Sequence, residues 1–237
     1  MTLTLQLQHG VQTQAEPTER AMQVAVMFGL PLDGTAKHTI IPPIELTLSP
    51  GRLVFVTGVS GGGKSTLLRL IAQAMKDQAP GHAPAIVFGD QLPALEDAAL
   101  VDALATPEGQ TSNPTPHAGL EQITNWLSMA GLNDAAVMLR KPNQLSEGQR
   151  HRLRLAQAMA IAHRLTEPWS VLLIDEFGST LDRVTAAALA RSVRRWVSRS
   201  KVCAVLATTH DDLLEPLAPE VLVELAPGGR CQVHQRG

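Results

Sequence analysis

Gly58-Val59-Ser60-Gly61-Gly62-Gly63-Lys64-Ser65-Thr66 carries the residue types that hold phosphate. Glycine tolerates backbone angles that other residues avoid, so successive N–H groups can curl around an anion. A helix starting at Lys64 adds the positive end of its dipole. Lys64 has the reach for the β- and γ-phosphates of a nucleotide, and the Ser65 hydroxyl suits Mg2+. Gly58, Ser60, Gly61, Gly62, Gly63, Lys64, Ser65 and Thr66 are therefore candidate nucleotide contacts. A glycine-rich turn can match this pattern by chance, so its flanks matter. Leu53-Val54-Phe55-Val56 reads as a strand before it, and Leu67-Leu68-Arg69-Leu70-Ile71 as a helix after it. That is the context a P-loop requires.

A second group is acidic. Val171-Leu172-Leu173-Ile174 is a continuous apolar run that ends in Asp175-Glu176, the form of a Walker B motif. Buried parallel strands read this way, and ligands sit at the carboxyl ends of such strands. Asp175 would hold Mg2+, directly or through water. Glu176 would orient the attacking water or accept its proton, a role worth roughly 10²–10⁴-fold in rate. An acidic loop after a core strand has the same look; the P-loop upstream separates the two readings. Leu145-Ser146-Glu147-Gly148-Gln149 precedes a helical run. Ser146 can cap that helix, and its first N–H groups face whatever lies beyond.

These groups need a scaffold. Ile44-Glu45-Leu46-Thr47-Leu48 predicts a strand, and Ser49-Pro50-Gly51-Arg52 a turn into the P-loop strand. Leu67, Leu68, Ile71, Ala74 and Met75 recur at helical spacing from Ser65 to about Lys76. Ala85–Phe88 and Val202–Ala207 predict further strands, and Val184 to Ser198 a helix. Leu3, Leu5 and Leu7 alternate with polar residues as a short strand, while residues 9–20 read as a loose polar segment. Residues 97–165 are mostly helical in pattern, interrupted by a breaker-rich surface loop from Ala105 to Pro116. Strands alternating with helices predict an α/β fold on a mostly parallel sheet.

Composition narrows the function. The 237 residues are 44% hydrophobic, enough for a large core, and the net charge is −2. Nothing global in that charge points to nucleic acid or an anionic membrane. Cys203 and Cys231 match neither a disulfide framework nor a metal-ligand spacing. They read as reduced thiols of a cytoplasmic protein. Trp126, Trp169 and Trp196 read as packing residues. Apolar runs fall short of the roughly 18 residues that span a bilayer. The first residues lack the basic start and apolar block of a signal peptide. Any membrane role therefore calls for a partner.

Taken together, the motifs resemble those of the ATP-binding cassette (ABC) ATPases over about residues 20–237. Leu145 to Gln149 is similar to that family's signature motif. Ser179-Thr180-Leu181-Asp182 is similar to its D-loop, and Thr208-Thr209-His210 to its switch histidine. The resemblance implies a P-loop, RecA-like core at about 20–96 and 166–237. It implies a helical signature subdomain at about 97–165, N-terminal antiparallel strands and a polar segment at 1–19. It implies ATP and Mg2+ as cofactors, and a head-to-tail dimer with an identical or different ABC ATPase chain. Ser146, Gly148 and Gln149 of one subunit would then meet the γ-phosphate held by the other. Lys64, Glu176 and His210 become the catalytic candidates, Asp182 a further nucleotide contact, and Gln91 the third metal contact beside Ser65 and Asp175. Hydrolysis by such a site works through positioning and electrostatics.

Several positions depart from the family pattern. Glu147 stands where Gly is usual, and Phe177 where Pro is common. About six extra residues lie near Ala162 to Ser170. Gln91 falls only 27 residues after Lys64, a short gap for a transporter ATPase. The chain has no Tyr, so Phe28 is the candidate to stack on adenine; a core position suits it equally. Phe28-Gly29, Gly131 to Ala135 and Asp175-Glu176-Phe177 also resemble an ABC-type group often fused to an acetyltransferase-like domain. That likeness implies a free-standing soluble ATPase, with a separate acetyltransferase-like chain as a candidate partner. The alternative is the ATP-binding subunit of a transporter with separate membrane subunits. Two basic runs, Arg150-His151-Arg152 with Arg154, and Arg191, Arg194, Arg195, Arg199 and Lys201, suit phosphate of nucleic acid. A solvated helix face fits them as well. A P-loop kinase would need neither the signature motif nor His210.

Overall fold

Alternation along the central strands decides the layers of this molecule. The computed structural model describes residues 2–12, 18–29, 37–78, 84–105, 118–165 and 168–236. β3 (Leu53–Gly58) sends Leu53 and Phe55 to one face and Val54 and Val56 to the other. β5 (Ser170–Ile174) and β6 (Val202–Thr208) do the same, and both are buried along their whole length. This is the pattern of strands covered on both faces.

In chain order, β1 (Leu3–Gln12), α1 (Glu19–Met27) and β2 (Lys37–Leu48) come first. β3, α2 (Lys64–Gln78) and β4 (Ala85–Phe88) follow. Then come four helices, α3 (Leu100–Ala103), α4 (Leu120–Met129), α5 (Ala135–Met138) and α6 (Glu147–Arg164). The chain returns through β5, α7 (Arg183–Val197), β6 and α8 (Leu214–Leu217) to the hairpin β7 (Val221–Ala226) and β8 (Arg230–Gln235). The six-stranded sheet has the order β4-β5-β6-β3-β7-β8. Its strands are parallel except β8, which runs antiparallel to β7.

One face of the sheet is covered by α2 and by the antiparallel ribbon of β1 and β2. Leu5, Leu7, Leu46 and Leu48 point into that layer from alternate positions. The other face is covered by α4, α6 and α7, with Trp126, Met159 and Val193 in the core. Trp169 is buried in the first layer and Trp196 in the second. All three tryptophans pack as the sequence suggests.

The N-terminal part is more ordered than its composition predicts. β1 continues through His9 and Gly10 to Gln12, because β2 begins at Lys37 and pairs with it that far. Two register shifts near His9 let the ribbon pass this polar stretch. α1 starts behind Thr18, whose hydroxyl accepts from the Ala21 N–H at 3.3 Å. Polar composition hides a strand whose partner lies some thirty residues away. The breaker-rich loop lies, beyond Ala105, outside the described residues. The extra residues before β5 are partly helix, since α6 runs to Arg164. No helix among the described residues is long and apolar enough to cross a membrane.

Candidate nucleotide-binding site

β3 is the central strand between β6 and β7, and its carboxyl end opens into the glycine loop. α2 begins at Lys64, so the loop N–H groups and the start of a 15-residue helix face one cavity. Lys64 is 9% exposed. Its ammonium donates to the carbonyls of Gly58 and Val59, both at 2.8 Å. Those bonds fold the side chain back over the loop, where an incoming phosphate would exchange for them. Burial lowers the Lys64 pKa; the carboxylates of Asp175 and Glu176 pull it back up.

Asp175 and Glu176 reach the same cavity from the end of β5. The cavity has about 560 Å³, and Ser60 to Thr66 form its floor. Glu176 has φ of +50°, in the left-handed region that costs a non-glycine residue about 1–3 kcal/mol. Three contacts hold it there. Its N–H donates to Asp175 Oδ1 at 3.0 Å, its carbonyl accepts from Ser179 N–H, and the next N–H, of Phe177, donates to Ala207 O. Phe177, where the family pattern has Pro, is 1% exposed and fills the core beneath. Ser179 and Thr208-Thr209 complete that side of the cavity.

The other predicted residues lie outside it. Ser146 caps α6: its hydroxyl accepts from Gln149 N–H, and Gln149 Oε1 accepts from Ser146 N–H at 3.0 Å. This reciprocal capping box uses both side chains locally. Ser146, Gly148 and Gln149 do not line the phosphate cavity of their own chain. Asp182 caps α7, and bonds from Thr185 hold its carboxyl below the usual range. His210 follows the two cavity threonines, half-buried, with its N–H on Thr208 Oγ1. Gln91 is exposed beyond the turn after β4, outside the P-loop cavity and outside the smaller cavity that Gly89 and Asp90 line. Phe28 ends α1 at 75% exposure, outside both the core and the phosphate cavity.

Sequence reasoning missed two features. Thr39 and Ile40 of β2, with the turn Ala226–Gly229, form a further wall of the P-loop cavity. Pro227-Gly228-Gly229 after the alternating Val221, Val223 and Leu225 was the available signal for that turn. Behind Asp175 and Glu176 lies a second cavity of about 270 Å³, lined by Asp90, His151 and Arg154 among others. Three residues of the basic runs are held by the fold, while Arg154, Arg191, Arg195, Arg199 and Lys201 are exposed. Arg150 bonds Leu145 O, Arg152 bonds Gly131 O, and Arg194 pairs twice with Glu220.

A strand, a glycine loop and a helix facing two strand-end carboxylates define a P-loop NTPase. Comparison with known proteins narrows the class. The family model described as "ABC transporter" matches residues 41–177. The aliphatic sulfonates import ATP-binding protein SsuB of Delftia acidovorans is 31% identical over 184 residues, covering 78% of this chain and 73% of SsuB. The methionine import ATP-binding protein MetN 2 of Rhodococcus jostii is 31% identical over 217 residues, covering 82% of this chain and 60% of MetN 2. PhnT of Salmonella typhimurium is 29% identical over 188 residues; 73% of this chain matches, but only 48% of PhnT. The chain thus spans about half the length of some relatives. Among solved structures, the dimeric bacterial ABC transporter cassette MJ0796 superposes with a TM-score of 0.63 at 18% identity, over 100% of both chains. The chain belongs to the ABC transporter ATPase family, and its fold is that of an ABC cassette.

Proposed function

We propose that this chain binds ATP with Mg2+ in the P-loop cavity, hydrolyses it to ADP and phosphate, and serves as the ATP-binding subunit of an import transporter. The observation that carries the reading is the meeting of Lys64, Ser65, Asp175 and Glu176 at one cavity. Lys64 would neutralise the β- and γ-phosphates, and Gly61 to Thr66 would cradle them with backbone N–H groups. Ser65 and Asp175 offer the hydroxyl and carboxylate oxygens that Mg2+ prefers, with phosphates and water as its other ligands. Bound there, Mg2+ would offset charge on the phosphates. Glu176, at the wall beside it, would take the proton of the attacking water.

The signature residues Ser146, Gly148 and Gln149 are already capped and lie outside their own cavity, which suits a role toward a second cassette. His210 and Asp182 would face the same dimer interface. In this reading the described helices between β4 and β5 belong to the signature subdomain, at about 97–165, and the remainder to the core. The import names of the relatives favour a transporter subunit, working at the cytoplasmic side with separate membrane subunits, over the free-standing soluble ATPase. They lend no support to an acetyltransferase-like partner. The short gap of 27 residues between Lys64 and Gln91 stands on the side of the soluble reading.

ATP hydrolysis by the purified chain beside Glu176→Gln, with the oligomeric state followed by size-exclusion chromatography, tests this. Activity in the unaltered chain, with loss in the variant and an ATP-dependent dimer of the variant, supports it. Absence of ATP binding would overturn it.

A further inference from the structure

Arg191, Arg195, Arg199 and Lys201 are exposed on and after α7, and the P-loop cavity uses none of them. Arg195 and Arg199 share a third cavity, of about 400 Å³, between α4 and α7. Ser192, Arg195, Trp196 and Arg199 line it at helical spacing, along α7 and just past its end. Asn125 and Met129, one turn apart, supply the α4 side. Trp196 is buried and makes the floor. His163, in the last turn of α6, also lines it. Burial, then Arg164, lower the His163 pKa, so its ring is neutral at pH 7 and the charge of the cavity rests on the two arginines.

No carboxylate is among the lining residues. Among the described residues, Arg195 donates to Ser192 Oγ at 3.3 Å, and neither arginine is in a salt bridge. Ser192 accepts that bond and keeps its own proton to donate. The Ser200 hydroxyl is spent locally, donating to Val197 O and accepting from the Val202 N–H, which holds the chain after Arg199. Cations near a helix end also offset its negative dipole. The end of α7 carries roughly half a negative charge, which two guanidiniums exceed. The other helices have their own cations: Arg164 in the last turn of α6, and Arg152 on Gly131 O just past α4. This cavity is separate from the nucleotide site. Ser200 precedes β6, whereas Thr208 at the end of β6 lines the P-loop cavity. At a rise of about 3.3 Å per residue, that strand sets the two roughly 20 Å apart.

We propose that this cavity binds a small phosphate ester, with its phosphate on Arg195 and Arg199 and its organic body against Trp196 and Met129. Guanidinium forks match phosphate oxygens in pairs. Three terminal oxygens and a charge near −2 use Ser192 and Asn125 more fully than a carboxylate does. Nucleic acid needs a long run of cations, one for each phosphate; here few cluster at one concave patch, in a chain of net charge −2. A ligand there bears on the far ends of the two helices whose starts carry Ser146 and Asp182.

Isothermal titration of the full chain with phenyl phosphate tests the site. Saturable binding of one equivalent is expected. Arg195→Ala and Arg199→Ala each weaken it by about tenfold, and Arg199→Lys by less. Lys64→Ala, in the P-loop, leaves it unchanged. Unchanged circular dichroism shows that the variants remain folded. Loss in Lys64→Ala with retention in both arginine variants would put the ester in the P-loop cavity and overturn the proposal. So would the absence of saturable binding at millimolar concentration, or equal binding of benzoate. A lowered Tm in the arginine variants with phenyl phosphate binding unchanged would assign both arginines to the helix end alone. Loss of salt-sensitive binding to single-stranded DNA in those variants, with phenyl phosphate binding unchanged, would make the patch a nucleic-acid contact instead.

Discussion

Asp175 and Glu176 stand as a common wall between two cavities built in opposite ways. On one side the floor of the P-loop cavity, Ser60 to Thr66, is made mostly of backbone from residues adjacent in sequence. Its shape follows from one strand, one loop and one helix start. On the other side the smaller cavity is made of side chains from three distant segments: Asp90 after β4, His151 and Arg154 on α6, and the carboxylates after β5. Gly89 contributes no side chain there, and an added Cβ would collide with Ile174 Cδ1. Burial, then the neighbouring Arg154, lower the His151 pKa, while Glu176 opposes them. At neutral pH the cation of this second cavity is therefore Arg154. A backbone cavity tolerates side-chain change, whereas a side-chain cavity is only as defined as the packing of α6 against the sheet.

That contrast is broken most directly at Lys64. Lys64→Ala removes the one side-chain cation of the P-loop cavity and lowers ATP affinity by about a hundredfold or more, read by titration calorimetry. If ATP affinity survives, the backbone alone makes the site. Glu176 lies on both sides of the wall, and its variants separate rate from binding. Glu176→Gln lowers kcat by roughly 10²–10⁴-fold with ATP affinity little changed. Glu176→Gly abolishes hydrolysis to a similar degree yet raises stability by about 1 kcal/mol, since the left-handed backbone no longer carries a Cβ. A rise in Tm for the glycine variant and none for the glutamine variant would mark the strain as functional.

The same contrast explains what the sequence reveals. Glycine spacing specifies backbone geometry, so the P-loop and the ends of β3 and β5 are legible from local pattern, whereas the strand order around them is not. The N-cap Ser146 is legible for the same reason, whereas the cap that Asp182 makes on α7 went unread. The places of Phe28 and Gln91 depend on tertiary position, which local pattern does not give; both end up exposed, at the end of α1 and beyond the turn after β4. Arg154 looked like one member of a basic run, and only the packing of α6 beside β5 singles it out. The β7–β8 turn went unread, because its place against β2 at Gly229 exists only in the tertiary fold.

Arg154 tests whether the second cavity acts on the first. Arg154→Ala removes the cation that lines the smaller cavity together with Glu176, and lowers kcat by roughly tenfold with ATP affinity unchanged. That size is what one charge at the edge of solvent supplies to a carboxylate. Arg154→Lys retains most of the rate. The residue is exposed, so stability is a poor account of any loss. An equal fall in ATP affinity would mean that the two cavities work as one binding site.

The smallest effect on the nucleotide site lies at the opposite end of β3. Glu220 accepts from the Leu53 N–H at 2.8 Å and pairs with Arg194 through both oxygens, at 2.6 and 3.1 Å. It therefore ties the start of the P-loop strand to α7. Burial pushes the Glu220 carboxyl up, but the Leu53 N–H and the Arg194 guanidinium outweigh it and hold the carboxyl below its usual value. A carboxyl depressed in the folded state stabilises the fold above its unfolded pKa, near 4.3. That contribution fades as pH falls through the lower folded value. Glu220→Gln thus costs roughly 1–3 kcal/mol at pH 7, a fall in Tm of several degrees for a chain of this size. The gap between variant and unaltered chain narrows as pH drops below about 4. ATP affinity at pH 7 stays the same, because the glycine loop takes its shape from its own sequence and from β2 and β7 beside it. If Glu220→Gln weakens ATP as much as it lowers Tm, the P-loop cavity is held from a distance after all, and the distinction between the two cavities fails.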